Sequence, residues 1–375
     1  MKVAILGSRG IPVSYGGYET LVERLALGLA SSPGIEVTVY CRKNYFKEKP
    51  VRYHGVRLVY LPTFRVKALE SLIHSFLSSI HVLFQDVNVI FFVDPANAPF
   101  FILLRLFGKK VIVNTDGLGW KRRKWWPMAR HYYKFVELLS KWTANVLVTD
   151  NPAMKEYYKE EYGAHSVCIA YGASNAEGTD ESVYRELGVY PDNYLLVVAR
   201  LEPENNTDFI IDEYVNARID MPLVVVGDSP YDPDIMKRLR RLAGGKVYFT
   251  GYISNQRKLN SLYKGAYIYI HGHEVGGTNP SLLRAMDAQT APLSIDVSFN
   301  KAVIGECGFF FEKRRGSLSD ILSRLTKEPE EVKGKSRMAK ERADTAFKWE
   351  SVIEEYKQLF YDVELEGTQD ASDSH

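Results

Sequence analysis

Cysteine is scarce in this 375-residue chain, and its placement excludes two kinds of protein. Cys41, Cys168 and Cys307 are odd in number and far apart, whereas a disulfide framework needs pairs and a metal site needs closely spaced ligands. Each lies in or beside an apolar segment, so we interpret them as core thiols in a reducing compartment. We therefore expect no metal site and no cofactor held through cysteine.

Long apolar runs and a strong net charge are also missing. No stretch reaches about 18 apolar residues without a charge, so no membrane-spanning helix is expected, and Met1–Leu6 is too short for a signal peptide. The net charge of +2 gives no global support for binding nucleic acid. These absences predict a cytoplasmic protein without a nucleic-acid partner.

The usual glycine fingerprints are absent from the turn after the first apolar run. Gly7-Ser-Arg-Gly-Ile-Pro-Val-Ser-Tyr-Gly-Gly-Tyr-Glu19 is not G-x-G-x-x-G, and it lacks the Lys-Ser/Thr pair of a P-loop. A nicotinamide-linked oxidoreductase is therefore disfavoured. Gly16 and Gly17 stand where a helix begins and would let the backbone approach a substrate or a donor phosphate; a flexible surface loop is the alternative.

Short apolar runs alternate with helical patterns along the chain, which predicts two α/β domains with mostly parallel sheets. A small, polar, glycine-rich stretch over residues 171–178 is typical of a linker. We predict domains over residues 1–172 and 173–345. We also predict a last helix, about residues 346–362, that packs back on the first domain, and a disordered tail over residues 363–375.

The stretch His271-Gly-His-Glu-Val-Gly-Gly-Thr-Asn-Pro-Ser-Leu-Leu-Arg-Ala-Met286 predicts a binding site. A buried strand leads into two glycines, then into small polar residues at a helix start. Glycines allow close backbone approach, and a helix N-terminus attracts phosphate. The predicted anion-binding residues, which we call the cradle, are Gly276, Gly277, Thr278, Asn279 and Ser281. An ordinary strand–turn–helix connection is the alternative.

Arg200 follows the first strand of the predicted second domain. An arginine at the carboxyl end of a strand would face the same ligand region as the cradle, since open α/β sheets bind ligands at that edge. A guanidinium holds a diphosphate through two parallel hydrogen bonds. A salt-bridged surface arginine is the alternative.

A basic and aromatic segment follows another strand end in the first half. Asp116 lies where a polar group would contact substrate, with Gly117 and Gly119 giving backbone freedom. The next residues predict a patch for an acceptor or for anionic lipid headgroups, with an exposed basic helix start as the alternative. This patch consists of Trp120, Lys121, Arg122, Arg123, Lys124, Trp125 and Trp126.

Four motifs in order resemble glycosyltransferase family 4, and more closely its bacterial rhamnosyltransferase-like branch. They are Gly7–Glu19, Asp116–Arg122, Ala199–Asn206 and Gly276–Leu283, and Phe347-Lys-Trp-Glu350 resembles the start of the family's crossover helix. The resemblance implies a GT-B fold, in which two Rossmann-like domains face each other across a cleft. It also implies a retaining, metal-independent sugar transfer without a cofactor.

The resemblance assigns roles to the residues that match its motifs. Arg200 would hold the donor diphosphate, the cradle would take phosphates and sugar, and Gly16 and Gly17 would close the cleft. Asp116 would contact the sugar or the acceptor. In the broader family a lysine stands where this chain has Asn205, and the resemblance therefore implies that Asn205 is a donor-binding residue.

Two glutamates eight residues apart stand at the family positions that Gly276 and Arg284 occupy here. The second glutamate usually binds the ribose, so Arg284 would instead contact a phosphate.

From these residues we expect a glycosyltransferase at the inner face of the cell membrane. It would move a hexose, foremost L-rhamnose from dTDP-L-rhamnose, from a dTDP- or UDP-sugar donor to a lipid-linked or saccharide acceptor in polysaccharide biosynthesis. Two alternatives stay open. A nucleotide-sugar epimerase of similar fold would convert the donor without an acceptor, and a catalytically impaired homologue, suggested by Arg284, would bind donor without turnover.

Overall fold

A computed structural model describes residues 1–13, 17–63, 70–115, 117–122, 126–173, 178–229, 234–243 and 245–372. Residue contacts divide the chain into two compact units. The first unit comprises Met1–Trp120, the described residues from Trp126 to Tyr171, and the last helix, which begins at Trp349. The second unit runs from Gly172 to Lys348 and includes Lys121 and Arg122.

The first unit is built from alternating strands and helices, as the apolar pattern predicts. Its strands are β1 Lys2–Leu6, β2 Glu36–Arg42, β3 Arg52–Tyr53, β4 Val56–Leu61, β5 Val89–Val93, β6 Lys110–Thr115, β7 Val146–Thr149 and β8 Val167–Cys168. Its helices, apart from the last, are α1 Gly17–Ala30, α2 Glu70–Leu83, α3 Ala98–Leu106, α4 Pro127–Thr143 and α5 Pro152–Tyr162.

These strands form one sheet in the order β3-β4-β2-β1-β5-β6-β7-β8, parallel except for the β3–β4 pair. β5 reads Val-Ile-Phe-Phe-Val and is buried along its whole length. A continuous apolar run of this kind fits a strand covered on both faces by helices. On one side, α3 packs between α2 and α4.

The second unit repeats the alternation. Its strands are β9 Leu195–Val198, β10 Leu223–Val226, β11 Val247–Gly251, β12 Ile268–His271, β13 Ala291–Ile295 and β14 Phe309–Phe311. Its helices are α6 Ser182–Leu187, α7 Thr207–Ala217, α8 Ile235–Leu242, α9 Gln256–Lys264, α10 Pro280–Asp287, α11 Ser298–Ile304, α12 Ser317–Leu325 and α13 Pro329–Ala346. The sheet is parallel, in the order β11-β10-β9-β12-β13-β14. The predicted α/β class, with two parallel-sheet domains, is confirmed.

The end of the chain differs from the prediction. The predicted last helix, about residues 346–362, is α14 Trp349–Ser372, which follows α13 after a break at Phe347 and Lys348. A long-range contact lies at the break, where the Phe347 carbonyl accepts a 2.6 Å hydrogen bond from the Ala173 N–H. Residues 363–372 continue α14 instead of forming a disordered tail, since Val363, Glu364 and Leu365 extend the same helical pattern. Residues 373–375 lie outside the described part.

The last helix belongs to the first unit, where its aromatic side chains pack on the sheet. Tyr356 is fully buried and accepts a 3.0 Å hydrogen bond from Asn114 Nδ2 at the end of β6. Phe91 of β5 makes ring contacts with both Tyr356 and Phe360. Within the described ranges, no helix combines the length and apolarity needed to cross a bilayer.

Candidate functional site

The second sheet places two predicted site segments beside each other. β9 and β12 are neighbours in the sheet although they are not consecutive in sequence, which marks the point where the strand order reverses. Open α/β sheets bind ligands outside the carboxyl ends of the strands at such a point. Arg200 follows β9, and the Gly276–Ser281 cradle follows β12. Both therefore belong to the carboxyl edge of this sheet.

The loops after β9 and β12 are tied together by hydrogen bonds. Asn206 Nδ2 donates to the Gly272 carbonyl at 2.8 Å, and the Glu274 N–H donates to the Glu204 carbonyl at 3.0 Å. A Cβ at Gly272 would overlap the carbonyl of Asn205, so only glycine allows this approach. The two loops consequently form one connected substructure.

Asn205, a predicted donor-binding residue, has a clear role inside this substructure. Its side chain is buried, and its Nδ2 donates to the Arg200 carbonyl at 2.7 Å. The amide therefore fixes the loop that carries Arg200. Sequence reasoning did not anticipate this role, because the bond is made to the main chain.

The Arg200 side chain is half-exposed and has one acidic neighbour. Its Nη1 lies 3.7 Å from Oε1 of the buried Glu202. At this distance the pair is a weak ion pair, which orients the guanidinium without consuming its hydrogen-bonding capacity. The charge at the carboxyl edge of β9 thus remains available for an anionic ligand.

The cradle has the predicted backbone shape, but part of its polar groups bond to each other. Gly276 has φ of +135°, a conformation that requires glycine. Asn279 caps α10: its Oδ1 accepts from the Ser281 N–H at 3.0 Å and from the Ser281 hydroxyl at 2.8 Å. The Ser281 N–H, which the sequence predicts as a phosphate donor, is therefore engaged by the cap in this structure. Thr278 is buried beside it.

Two histidines that sequence reasoning missed, the buried His271 and the partly buried His273, lie under the cradle. His271 and His273 stack with ring centroids 4.3 Å apart. Tyr269 OH lies 3.0 Å from His271 Nδ1 and 2.8 Å from Ser281 Oγ, so the network reaches the cradle.

Both rings are held in the neutral form. Burial, together with the charges of Arg200 and Arg122, lowers the pKa of His273 to about 3, and burial lowers the pKa of His271 well below its usual value. The sequence His271-Gly-His273 at the end of an apolar strand was the signal that could have identified these two residues.

Glu204 is a second residue that sequence reasoning missed. Its side chain is 3% exposed, and neither carboxylate oxygen has a hydrogen-bond partner among the described residues. A buried carboxylate without partners is costly. Glu204 lies in the loop between Arg200 and α7.

Arg284, predicted to contact a donor phosphate, is held by α9 instead. Its Nη1 donates to Gln256 Oε1 at 2.9 Å, its Nη2 donates to Asn260 Oδ1, and its guanidinium lies 5.3 Å from the centre of the Tyr263 ring. Burial lowers its pKa. The side chain therefore joins α10 to α9, and it does not project from the cradle as a free cation.

Several predicted site residues in the first half of the sequence lie outside the described ranges: Gly16, Asp116, Arg123, Lys124 and Trp125. Gly17 begins α1, and Trp126 is 63% exposed just before α4. Lys121 ends a short 3₁₀ turn that begins at Gly119.

Trp120 differs from the other patch residues that are described. Its indole N–H donates to Tyr157 OH at 3.0 Å, and Lys134 Nζ lies 4.8 Å from the centre of its ring. Trp120 is therefore engaged by α4 and α5, and its part in a patch for an acceptor or for lipid stays a prediction.

Groups of three or more potential metal ligands are absent from the described part of the chain.

Comparison with known proteins agrees with this architecture. Residues 1–174 match the model described as a domain of unknown function (DUF1972), and residues 192–328 match the model described as glycosyl transferases group 1. O-antigen chain mannosyltransferase C of Escherichia coli is 22% identical over 269 residues, which cover 69% of each chain.

Solved structures show the fold. Sucrose-phosphate synthase from Thermosynechococcus elongatus superposes with a TM-score of 0.82 at 17% identity, covering 96% of this chain and 98% of that one. Anabaena HepE in complex with UDP gives a TM-score of 0.75 at 13% identity, covering 96% and 100%. The two halves of this chain are therefore similar to a DUF1972 domain and to a group 1 glycosyltransferase domain, and the chain has the GT-B fold that its sequence predicts.

Proposed function

We propose that this chain is a retaining hexosyltransferase that moves L-rhamnose from dTDP-L-rhamnose to a lipid-linked glycan acceptor. The observation that carries the proposal is the juxtaposition of the Arg200 loop and the cradle at the strand-order reversal of the second sheet. An arginine, a glycine-rich turn and a helix start at one sheet edge form a site suited to a diphosphate.

The donor would be held by groups of complementary chemistry. The Arg200 guanidinium would bind the diphosphate, and the backbone around Gly276 and Gly277 would approach it closely. The Glu204 carboxyl group, which has no hydrogen-bond partner among the residues that the structure describes, would accept hydrogen bonds from sugar hydroxyls. The neutral His271 and His273 support the cradle from below without adding charge.

The reaction needs no protein nucleophile. The bond between the sugar C1 and the phosphate oxygen breaks, and its electron pair goes to the leaving diphosphate. Arg200 stabilises the charge that develops there. The acceptor hydroxyl oxygen forms the new bond to C1 on the face that the diphosphate leaves, and its proton passes to a donor phosphate oxygen. The configuration at C1 is therefore retained.

The choice of sugar rests on the rhamnosyltransferase-like motifs, and a comparison adds a second donor to test. The Escherichia coli relative is a mannosyltransferase. A calorimetric screen of dTDP-, UDP- and GDP-sugars on the full chain, with nucleoside diphosphate release as a second readout, tests the proposal. Tight binding of dTDP-L-rhamnose with slow release of the nucleoside diphosphate supports the proposal. A preference for GDP-mannose overturns the sugar assignment. Binding of none of the donors favours a catalytically impaired homologue, and donor conversion without acceptor favours an epimerase.

Arg284→Met tests whether Arg284 contacts the donor. We expect a lower melting temperature, because the hydrogen bonds to Gln256 and Asn260 are lost. The Kd of the donor should change by less than about threefold, since a phosphate contact of an arginine would be worth about tenfold or more. A hundredfold higher calorimetric Kd in a folded variant would instead support the predicted contact between Arg284 and a donor phosphate.

We also propose peripheral contact of the first unit with an anionic membrane. Residues 98–143 contain ten Lys and Arg but two Asp and Glu, and an excess of positive charge in this part of the sequence favours an anionic surface. Large apolar side chains stand exposed where α2, α3 and α4 end, next to the amino ends of the strands that follow. They are Phe84 at 82%, Leu106 at 78%, Phe107 at 65% and Trp142 at 70% exposure.

A vesicle-binding measurement checks this contact. The triple substitution Phe84→Ser, Phe107→Ser and Trp142→Ser should weaken co-sedimentation with phosphatidylglycerol vesicles at least tenfold. The reason is that it removes the aromatic area that membrane binding would bury. Binding of the wild type should also weaken as salt is raised. Tyr190→Ser, at a 72% exposed position of the second unit, is the matched control. Equal binding by the triple variant and the control would contradict the proposed contact.

A further inference from the structure

A buried carboxyl group in the first unit is connected to the predicted acceptor segment. Glu137 lies on α4 and is 1% exposed. Its Oε2 accepts from Tyr162 OH at 2.9 Å and from Tyr157 OH at 3.1 Å, both on α5. The two hydroxyl oxygens lie 3.1 Å apart. The carboxyl group and two phenols thus form a compact polar triangle between two helices.

The triangle extends to Trp120. The indole N–H of Trp120 donates to Tyr157 OH at 3.0 Å. Lys134 covers the indole ring from one side and forms an ion pair with Glu161 at 2.7 Å. The connection from Trp120 through Tyr157 to Glu137 is here called the Trp120 latch.

The segment around Trp120 is packed tightly enough for the latch to define its position. Leu118 is fully buried. A Cβ at Gly119 would come within 2.7 Å of the Tyr133 ring, so the turn at residues 119–121 lies directly on α4. With Trp120 bonded to α5, this turn is fixed by both helices. It immediately follows β6 and Asp116, the residue predicted to contact sugar or acceptor.

We propose that Glu137 is a positioning residue for acceptor binding, acting through Tyr157 on the Trp120 segment. This inference rests on the proposed function, because the acceptor would be the glycan substrate. The ionised carboxylate of Glu137 accepts a charge-assisted hydrogen bond from the Tyr157 hydroxyl. This bond makes the Tyr157 oxygen a stronger acceptor for the indole N–H of Trp120. The latch is therefore tighter when Glu137 is ionised.

The surroundings of Glu137 place its ionisation near neutral pH. Burial raises the pKa of Glu137 to about 7; the hydrogen bonds from Tyr162 and Tyr157 and the charge of Lys134 lower it, and Asp94 after β5 raises it.

This raised pKa has two opposite effects. Because it lies above the value of about 4.3 for a free glutamate, folding favours the protonated form, so stability from this group is lost as pH rises through 7. The latch itself tightens over the same range.

Tryptophan fluorescence of the full chain, titrated from about pH 5.5 to 8.5, tests the latch. We expect a transition with a midpoint near pH 7 that disappears in Trp120→Phe, Glu137→Gln and Tyr157→Phe. Trp142→Phe, which removes an exposed indole, should keep the transition. Tyr162→Phe should also keep it with a higher midpoint, since one hydrogen bond that lowers the Glu137 pKa is lost. Persistence of the transition in Trp120→Phe or Glu137→Gln would overturn the proposal.

Transfer kinetics test the link to the acceptor. In Tyr157→Phe we expect the acceptor KM to rise at least fivefold, while the donor Kd and the melting temperature stay close to those of Tyr162→Phe. An unchanged acceptor KM in Tyr157→Phe would overturn the positioning role. A normal fluorescence transition in a wild-type protein that transfers no sugar to any acceptor would overturn the proposed function and leave the latch itself standing.

Discussion

Arg200→Ala is expected to lower kcat for sugar transfer about 10²–10³-fold, as is typical when one preorganised donor to a developing negative charge is removed. Arg200 follows β9 at the strand-order reversal, and among the described residues its half-exposed guanidinium forms a long ion pair with Glu202. Without it, the leaving diphosphate loses its nearest positive charge on that loop. Steady-state transfer kinetics and donor calorimetry measure the effect.

The fold should survive this substitution. The 3.7 Å ion pair joins a half-exposed arginine to a buried glutamate and is long, so we expect its loss to cost about 1 kcal/mol. The main-chain bond from Asn205 to the Arg200 carbonyl does not depend on the arginine side chain. Arg240→Ala, at an exposed position on α8, is the matched control and should keep full activity. Full turnover by Arg200→Ala would rule out the assigned role of Arg200.

Gly272→Ala should impair both stability and donor binding. A Cβ at this position would overlap the Asn205 carbonyl and lie 2.7 Å from Ile210 Cδ1. To relieve the overlap, the loop that carries Arg200 must move away from the β12 loop. Overpacking of this kind lowers the free energy of unfolding by about 1–3 kcal/mol. We expect the donor Kd to rise at least tenfold, because Arg200 and the cradle are no longer held at the right distance from each other.

Thermal unfolding and calorimetry of Gly272→Ala are compared with Gly334→Ala. Gly334 lies in α13 with open space around it, so alanine there should raise stability slightly through its higher helix propensity. If Gly272→Ala bound donor as tightly as Gly334→Ala, the hydrogen-bonded pair of loops would have no part in donor binding.

The fold was predictable because its signals are local. The Ala291–Ile295 strand and the strand–glycine–helix order around the cradle follow from apolar runs, turn residues and helical spacing over a few residues. The strand-order reversal then brings Arg200 and Gly276 to one sheet edge, as expected for segments that each follow a parallel strand. Pattern and topology agree here, and so the prediction holds at this level.

The contacts that the sequence did not predict share one cause, since each joins residues that are distant in sequence. Trp120 is predicted to belong to a basic and aromatic patch, and its hydrogen-bond partner Tyr157 lies 37 residues away. Arg284 is predicted to contact a donor phosphate, and the sequence does not indicate its hydrogen bonds to α9. The break between α13 and α14 coincides with the bond from Ala173 to Phe347. No local pattern reports such contacts.

Transfer of label from a nucleotide-sugar to an acceptor tests the central claim most directly. The full chain would be incubated with radiolabelled dTDP-L-rhamnose and a lipid-linked glycan fraction in the presence of a chelator, and the label in the lipid phase would be counted. The account predicts wild-type transfer, with release of dTDP in equal amount and loss of both in Arg200→Ala. Labelled lipid formed equally by wild type and Arg200→Ala, or no transfer and no dTDP release by the folded wild-type protein, would contradict it.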